Sequence, residues 1–290
     1  MLLFIKVKKF KMGCEKMKTI KFYQVDTFTN ELFKGNPAGV CLLDEEISDS
    51  LMQKIAFEMN LSETAFLIPV VNEENRFSLR WFTPEVEVPL CGHATLASSA
   101  VLFEKFKISS NELQFETKSG ILISKLENSE IVLDFPMDEA VFDGFQINHQ
   151  LLDALGIKNY ENVFLGKITK KLIFQLKDKE EILNIKPNFD LLNNLDCSWL
   201  KGIGVTAIDG KEFDFISRYF NPWAGVNEDS VTGSVHTVLA SYWADILDKT
   251  KLKCYQASRR SGEMTLKIKE NDRVEISGKY KIALQGEILI

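Results

Sequence analysis

Two loop-to-helix junctions in this chain carry side chains that could do chemistry together. One reads Cys91-Gly92-His93-Ala94-Thr95 and the other, far downstream, Thr232-Gly233-Ser234-Val235-His236. In each, a Gly opens an apolar segment of helical character, with a thiol, imidazole or hydroxyl beside it. A helix start offers unpaired N–H groups and the positive end of the helix dipole, and a Gly lets a ligand approach the backbone. Two such starts facing one another would form an anion site suited to a small carboxylate. The alternative is a pair of ordinary core helices left by an old duplication, which needs no ligand. Polar residues crowd both Gly positions while the rest of each helix is apolar, and this favours the site.

The elements that must position these junctions repeat as well. Arg80-Trp81-Phe82-Thr83-Pro84 precedes the first and Arg218-Tyr219-Phe220-Asn221-Pro222 the second, offset by 138 residues at the Arg and 141 at the Gly. Each copy reads as a strand ending in Pro, a loop, and a helix, and the offset is close to half of 290 residues. The pattern predicts two similar α/β halves with a cleft between them. We place the first at 18–140, with a central helix near 92–106, and the second at 141–290, with a central helix near 233–247. Residues 1–17, which include Met12, Cys14 and Met17, read as an upstream extension.

In chain order, Thr19 to Asp26 alternates as a strand and Gly35 to Gly39 reads as turn chemistry. Ile47 to Asn60 is an amphipathic helix capped by Ser48 or Asp49. Glu63 then opens a very apolar strand. Such a carboxylate either points to solvent at the junction or sits in a pocket with a raised pKa, and the solvated reading is the commoner one for this window alone. The C-terminal stretch from Lys251 is strand-rich, with strands expected at Thr265 to Lys269, Arg273 to Ser277, Ile282 to Leu284 and Glu287 to Ile290.

Composition bounds the class. The hydrophobic and charged fractions, 45% and 26%, are those of a globular protein. A net charge of −6 without a long basic run argues against nucleic acid or an anionic membrane as partner. Five widely spaced cysteines without a C-x-x-C pair fit a reduced, cytoplasmic setting. No cluster with metal-ligand spacing joins them to the three His, so no metal is expected, and the absence of a phosphate-cradling Gly-rich loop predicts no nucleotide cofactor.

Five motifs in order, Phe33-Lys34-Gly35-Asn36-Pro37-Ala38, Leu61-Ser62-Glu63-Thr64-Ala65-Phe66, Cys91-Gly92-His93-Ala94-Thr95, Glu228-Asp229-Ser230-Val231-Thr232-Gly233-Ser234 and Gln256-Ala257-Ser258-Arg259-Arg260-Ser261-Gly262, together resemble the PhzF (phenazine biosynthesis-like) family. The resemblance implies the fold of diaminopimelate epimerase. That fold has two pseudo-symmetric α+β domains, each a curved, mostly antiparallel sheet or barrel around a central helix. It further implies a cofactor-independent isomerase, usually a homodimer, that moves a proton on a small cyclic or amino carboxylate. The matching positions make Glu63 the acid/base, with His93 and Asp229 as further catalytic groups. Gly92, Gly233 and Ser234 would hold substrate oxygens.

On this reading desolvation would raise the Glu63 pKa, and His93, at a helix start, would stay neutral. The competing class is a non-catalytic small-ligand-binding or interaction protein on the same fold. Lys34 and Ser261 stand where relatives often have Gly. Thr232 stands where thiol-using cousins of this fold place their second Cys. Cys91 is therefore expected to be a small buried neighbour of the helix start rather than half of a two-thiol pair.

Overall fold

The computed structural model describes residues 18–290, so the expected extension at 1–17, with Cys14, lies outside the described residues. The first half is built from β1 (Thr19–Thr27), β2 (Asn36–Leu42), β3 (Glu63–Pro69), β4 (Arg76–Phe82), β5 (Glu87–Val88), β6 (Glu112–Thr117), β7 (Gly120–Glu127) and β8 (Glu130–Pro136). Next come β9 (Ala140–Val141), β10 (Asn162–Gly166), β11 (Leu172–Gln175), β12 (Ile203–Ile208), β13 (Phe215–Phe220), β14 (Lys251–Gln256), β15 (Gly262–Lys269), β16 (Arg273–Gly278) and β17 (Tyr280–Leu289). The helices are α1 (Asp49–Met59), α2 (Gly92–Val101), α3 (His149–Leu155), α4 (Lys179–Asn184), α5 (Phe189–Asn193) and α6 (Gly233–Leu247).

The strands fall into two runs with one pairing pattern. The first is β1-β2-β3-β4-β6-β7-β8, antiparallel except at β2–β3 and β4–β6. The second is β10-β11-β12-β13-β14-β15-β16, antiparallel except at β11–β12 and β13–β14. Parallel neighbours need a crossover, and α2 lies in the crossover from β4 to β6 just as α6 lies in that from β13 to β14. This is why the strand, Pro, loop and Gly-led helix recur in the sequence. The fold is thus α+β and sheet-dominated, with a central helix for each run.

Ion pairs repeat too. Arg80 binds both oxygens of Glu87 at 2.8 Å, and Arg218 binds those of Glu228 at 2.7 and 3.1 Å. Each guanidinium also lies over the Phe two residues on, Phe82 or Phe220. They are structural charges that tie the end of each Arg-bearing strand to the loop leading into its helix.

The runs are stitched by β8 against β16, and each borrows a strand from beyond the other. β9, which follows β8 in the chain, pairs with β10, whereas β17, which follows β16, pairs with β1 along its whole length. A boundary near 140 therefore leaves β17 covalently in one half and hydrogen-bonded in the other.

One apolar core runs through both halves, with buried α2 residues such as Leu96 and Ala100 and α6 residues such as Val238 and Trp243. Smaller cores fill the outer faces, one under α1 and the other, with Leu155, Ile182 and Leu192, under α3, α4 and α5. Buried hydroxyls of α2 are spent on its own carbonyls. Thr95 donates to Cys91 O at 2.6 Å, Ser98 to Ala94 O and Ser99 to Thr95 O, both at 2.8 Å.

Four local expectations are corrected. Asn36 to Gly39 belongs to β2 rather than to a turn, and the turn ends at Gly35. The first central helix is α-helical only to Val101, and residues 102–106 continue it as a wider π-turn closed by Lys107 in the left-handed region. Lys251–Gln256 is a strand, and the last two expected strands are one, β17, bulged opposite Gln24 and Val25. Among the described residues no helix is long and apolar enough to cross a membrane.

Candidate functional site

Glu63 is the first residue of β3, and His93 is the second residue of α2. The sheet brings them together across 30 residues of chain. Glu63 Oε2 stands 3.1 Å from His93 Nε2, and Cys91 Sγ is 3.5 Å from His93 Nδ1. The imidazole thus lies between a thiol on one nitrogen and a carboxylate on the other. The carboxylate contact is close but off-axis, so neither Oε2 nor Nε2, both buried, has an aligned hydrogen-bond partner. Native structures seldom leave buried polar atoms in this state, and a catalytic role is one of the explanations for those that do.

Electrostatics couple the pair. Burial alone pushes the Glu63 carboxyl up, but the adjacent His93 ring and Cys91 thiol more than offset it, and the pKa lies below the usual carboxylate value. Burial disfavours a charged His93, yet Cys91 and Glu63 outweigh that and hold its pKa well above the ordinary imidazole value. The Cys91 thiol is itself pushed up by burial and by the Glu63 charge, so it is neutral at pH 7 and Glu63 supplies the negative charge. Both shifts favour the charged pair, a carboxylate facing an imidazolium, over the neutral one. Both expectations from the sequence, a raised Glu63 and a neutral His93, are corrected, because each was drawn without the partner that shares its proton.

Asp229 comes from the loop before α6. One carboxylate oxygen accepts from Asn36 Nδ2 at 3.0 Å and the other from the Thr232 hydroxyl. Burial pushes its pKa up and Glu63 adds to this, against the charges of His93 and Lys171 and the Thr232 hydrogen bond. It is near enough to both Glu63 and His93 to feel their charge, so the three carboxylate and imidazole groups expected from the sequence share one neighbourhood. Gly92 and Gly233 are the first residues of α2 and α6, and neither Cys91 nor Thr232 caps its helix with a side chain, which leaves first-turn N–H groups open. Ser234 is exposed in the first turn of α6 and is not hydrogen-bonded to Glu63 or His93.

The other two histidines lie apart from this chemistry. His149 is exposed. His236 is buried in α6, where Nδ1 donates to the Thr232 carbonyl at 2.7 Å, Nε2 accepts from Ser217 at 3.3 Å, and burial lowers its pKa to about 4. Glu63, Cys91 and His93 do bring ligand atoms within 4.8 Å of one another, a cluster that sequence spacing missed because Glu63 is 28 residues from Cys91. The thiol approaches one ring nitrogen and the carboxylate the other, so the three groups form a chain through the imidazole.

Residues that the sequence reading did not place at the site are Asn36, Ser62, Gln256 and Lys171. Gln256 accepts from Thr232 N at 2.8 Å and donates to the Asp229 carbonyl at 2.9 Å. Lys171 is buried, donates to the Tyr219 hydroxyl at 2.6 Å, and is lowered by burial to a pKa of about 8. The signal for the first three was present, since all lie in the quoted motifs. Lys171 carries no local signal.

The sequence profile described as phenazine biosynthesis-like protein, PhzC-PhzF, matches residues 25–286. The chain is similar to an uncharacterized isomerase of Halalkalibacterium halodurans, 44% identical over 276 residues that cover 94% of this chain and 100% of that protein. A crystal structure of a PhzF-family phenazine biosynthesis protein from Enterococcus faecalis superposes with a TM-score of 0.85 at 40% identity, over 94% of this chain and 100% of that one. A predicted epimerase from Pseudomonas aeruginosa, with a TM-score of 0.72 at 20% identity over 93% of this chain and 99% of that one, shares the fold.

Proposed function

The chain belongs to the phenazine biosynthesis-like (PhzC-PhzF) isomerase family, and from that premise we propose that it moves a proton between two atoms of a small cyclic or amino carboxylate without a cofactor. Glu63 is the acid/base on this reading. The observation that carries it is the Glu63–His93 contact, a half-buried carboxylate and a buried imidazole within 3.1 Å whose facing atoms lack aligned partners.

The open first-turn N–H groups at Gly92 and Gly233 would bind the substrate carboxylate, with the Ser234 hydroxyl within the same turn. A substrate entering between Glu63 and His93 would break the contact that holds the Glu63 pKa down, and the opposing effect of burial would remain. The carboxylate thus becomes a stronger base only when a C–H bond lies before it. Glu63 takes the proton from one carbon and returns it to another, so the site ends in its starting protonation state. His93 keeps its proton and donates a hydrogen bond to developing negative charge. Asp229, coupled electrostatically to both groups, is the further ionisable group that the other half brings to the site.

The test is solvent exchange. Wild type should exchange a substrate C–H proton with D2O, whereas Glu63→Gln should bind the same carboxylate and exchange it slower by about 10²- to 10⁴-fold. Carboxylate binding without exchange in the wild type would favour the binding-protein alternative.

A further inference from the structure

The Gln256–Gly262 segment has no part in the chemistry above, yet its hydrogen bonds run into both halves. At one end Gln256 holds Thr232 and Asp229, and the Ser258 hydroxyl donates to Ser230 O at 2.6 Å. At the other end Arg260 reaches the first half. Its guanidinium binds Asp26 at 2.7 Å, Gly35 O at 2.9 Å and Lys34 O at 3.0 Å, while Gly35 N donates to Ser261 O at 2.7 Å. Asp26 is fully buried and also accepts from Phe33 N at 2.7 Å. Gly35 has φ +66°, and a Cβ there would lie 1.9 Å from Thr27 O, so no other residue fits without moving the loop. Ser261, where relatives often carry Gly, sits at φ +54°. One segment therefore fixes both the loop that leads into Asn36 and the loop that carries Asp229.

Asn36 closes the gap between those loops. It is fully buried, its Nδ2 donates to Asp229 Oδ1 at 3.0 Å and to Val231 O at 2.9 Å, and its Oδ1 accepts from Ser62 Oγ at 3.4 Å. Ser62 immediately precedes Glu63, and Ala38, two residues after Asn36, pairs with Glu63 in the parallel β2–β3 register. We propose that Asn36 is a positioning residue that ties Asp229 of one half to the Glu63 strand of the other, with the Gln256–Gly262 segment as the brace that holds both ends of the tie. Its bond to Asp229 Oδ1 sets the aim of the carboxylate and favours its ionised form, while the bond to Val231 O fixes the loop that carries it. Loss of the amide removes both effects while leaving Glu63, His93 and Cys91 in place. The catalytic part of this inference rests on the isomerase reading, whereas the electrostatic part does not.

Two variants test it. Asn36→Asp keeps the shape and the acceptor for Ser62 but replaces the donor by a carboxylate beside Asp229; Asn36→Leu removes the donor without adding charge. The titration of Asp229, followed by NMR of ¹³C-labelled aspartate and assigned with Asp229→Asn, should move to higher pH in both, further in Asn36→Asp. An unmoved titration in folded protein overturns the tie. Where wild type exchanges a substrate C–H proton, Asn36→Leu should lower the exchange rate at saturation by about 10- to 100-fold with little change in KM and with a shifted acid limb of the pH profile. Full exchange with an unshifted profile overturns the positioning role. Should wild type exchange nothing, the isomerase reading fails and the titration still decides the tie. Failure of both variants to fold would make Asn36 a folding residue and would also overturn the proposal.

Discussion

The two halves share a frame and differ at the positions where chemistry would be done. In the first half Glu63 opens β3 next to His93, and Trp81 of the neighbouring β4 pairs with Ala65. By register the second half has Gly202 where the first has Glu63, since Thr64 pairs with Phe82 as Ile203 pairs with Phe220. Tyr219 stands for Trp81 and Ser234 for His93. The space that Glu63 fills in one half is filled in the other by the Tyr219 hydroxyl, which donates to the Lys201 carbonyl and accepts from Lys171. The carboxylate–imidazole pair is thus built on one half only, and the second contributes Asp229 from its loop. A duplicated fold has kept its scaffold ion pairs, Arg80–Glu87 and Arg218–Glu228, and specialised its faces.

The largest effect is expected where the second half has given up a side chain. Gly202 has φ +121°, and a Cβ would come 2.1 Å from the Tyr219 hydroxyl. Gly202→Ala should therefore cost about 3 kcal/mol or more of stability in urea unfolding. A loss under about 1 kcal/mol would show that the two strand starts are interchangeable and would break the comparison.

Next is the pair Thr95 and His236, which occupy matching positions and bond the carbonyl before their helices, at Cys91 and Thr232. Only His236 titrates. Its folded pKa of about 4 lies below the ordinary 6.5, so the unfolded chain binds the extra proton first and stability is lost as pH falls between these values. The loss from this one group amounts to about 3 kcal/mol by pH 4. In His236→Gln the pH dependence of Tm should flatten between pH 6.5 and 4, and Thr95→Ser should leave it unchanged. An unaltered slope in His236→Gln would assign acid sensitivity elsewhere.

The smallest effect concerns Cys91 and Thr232, which precede the two helix starts. The Cys91 thiol is neutral and Thr232 is engaged by Asp229, so no pair of opposed thiolates exists. Cys91→Ala should keep exchange within about tenfold of wild type, far above Glu63→Gln. Abolished exchange in a folded Cys91→Ala protein would make the thiol a proton carrier and bring the first half closer to the thiol-using cousins of this fold.

The repeat was legible because Arg, aromatic, Phe and Pro in one order mark a strand end whatever the surroundings. The places of Glu63, His93 and Asp229 were legible only through the ordered motifs. Their protonation was not, since a pKa depends on a neighbour across the fold rather than along the chain. Asn36 was misread for a related reason. Gly-Asn-Pro is turn chemistry locally, but here the turn ends at Gly35, and the Asn amide is spent on Asp229, 193 residues further along the chain. β14 went unseen because Lys251, Lys253 and Gln256 give Lys251–Gln256 a polar look, although Leu252 and Cys254 alternate inward.

The exchange of edge strands bears on how the chain is made. β1 is among the first elements to leave the ribosome, yet one of its two edges is covered by residues 280–289. The first half therefore waits with an open, pairable strand edge until nearly all of the second has been synthesised. Its closure joins segments some 260 residues apart, a loop whose entropy must be met before the last hydrogen bonds form. The sheet of the first half is thus completed only by a strand that follows the whole second run in the chain.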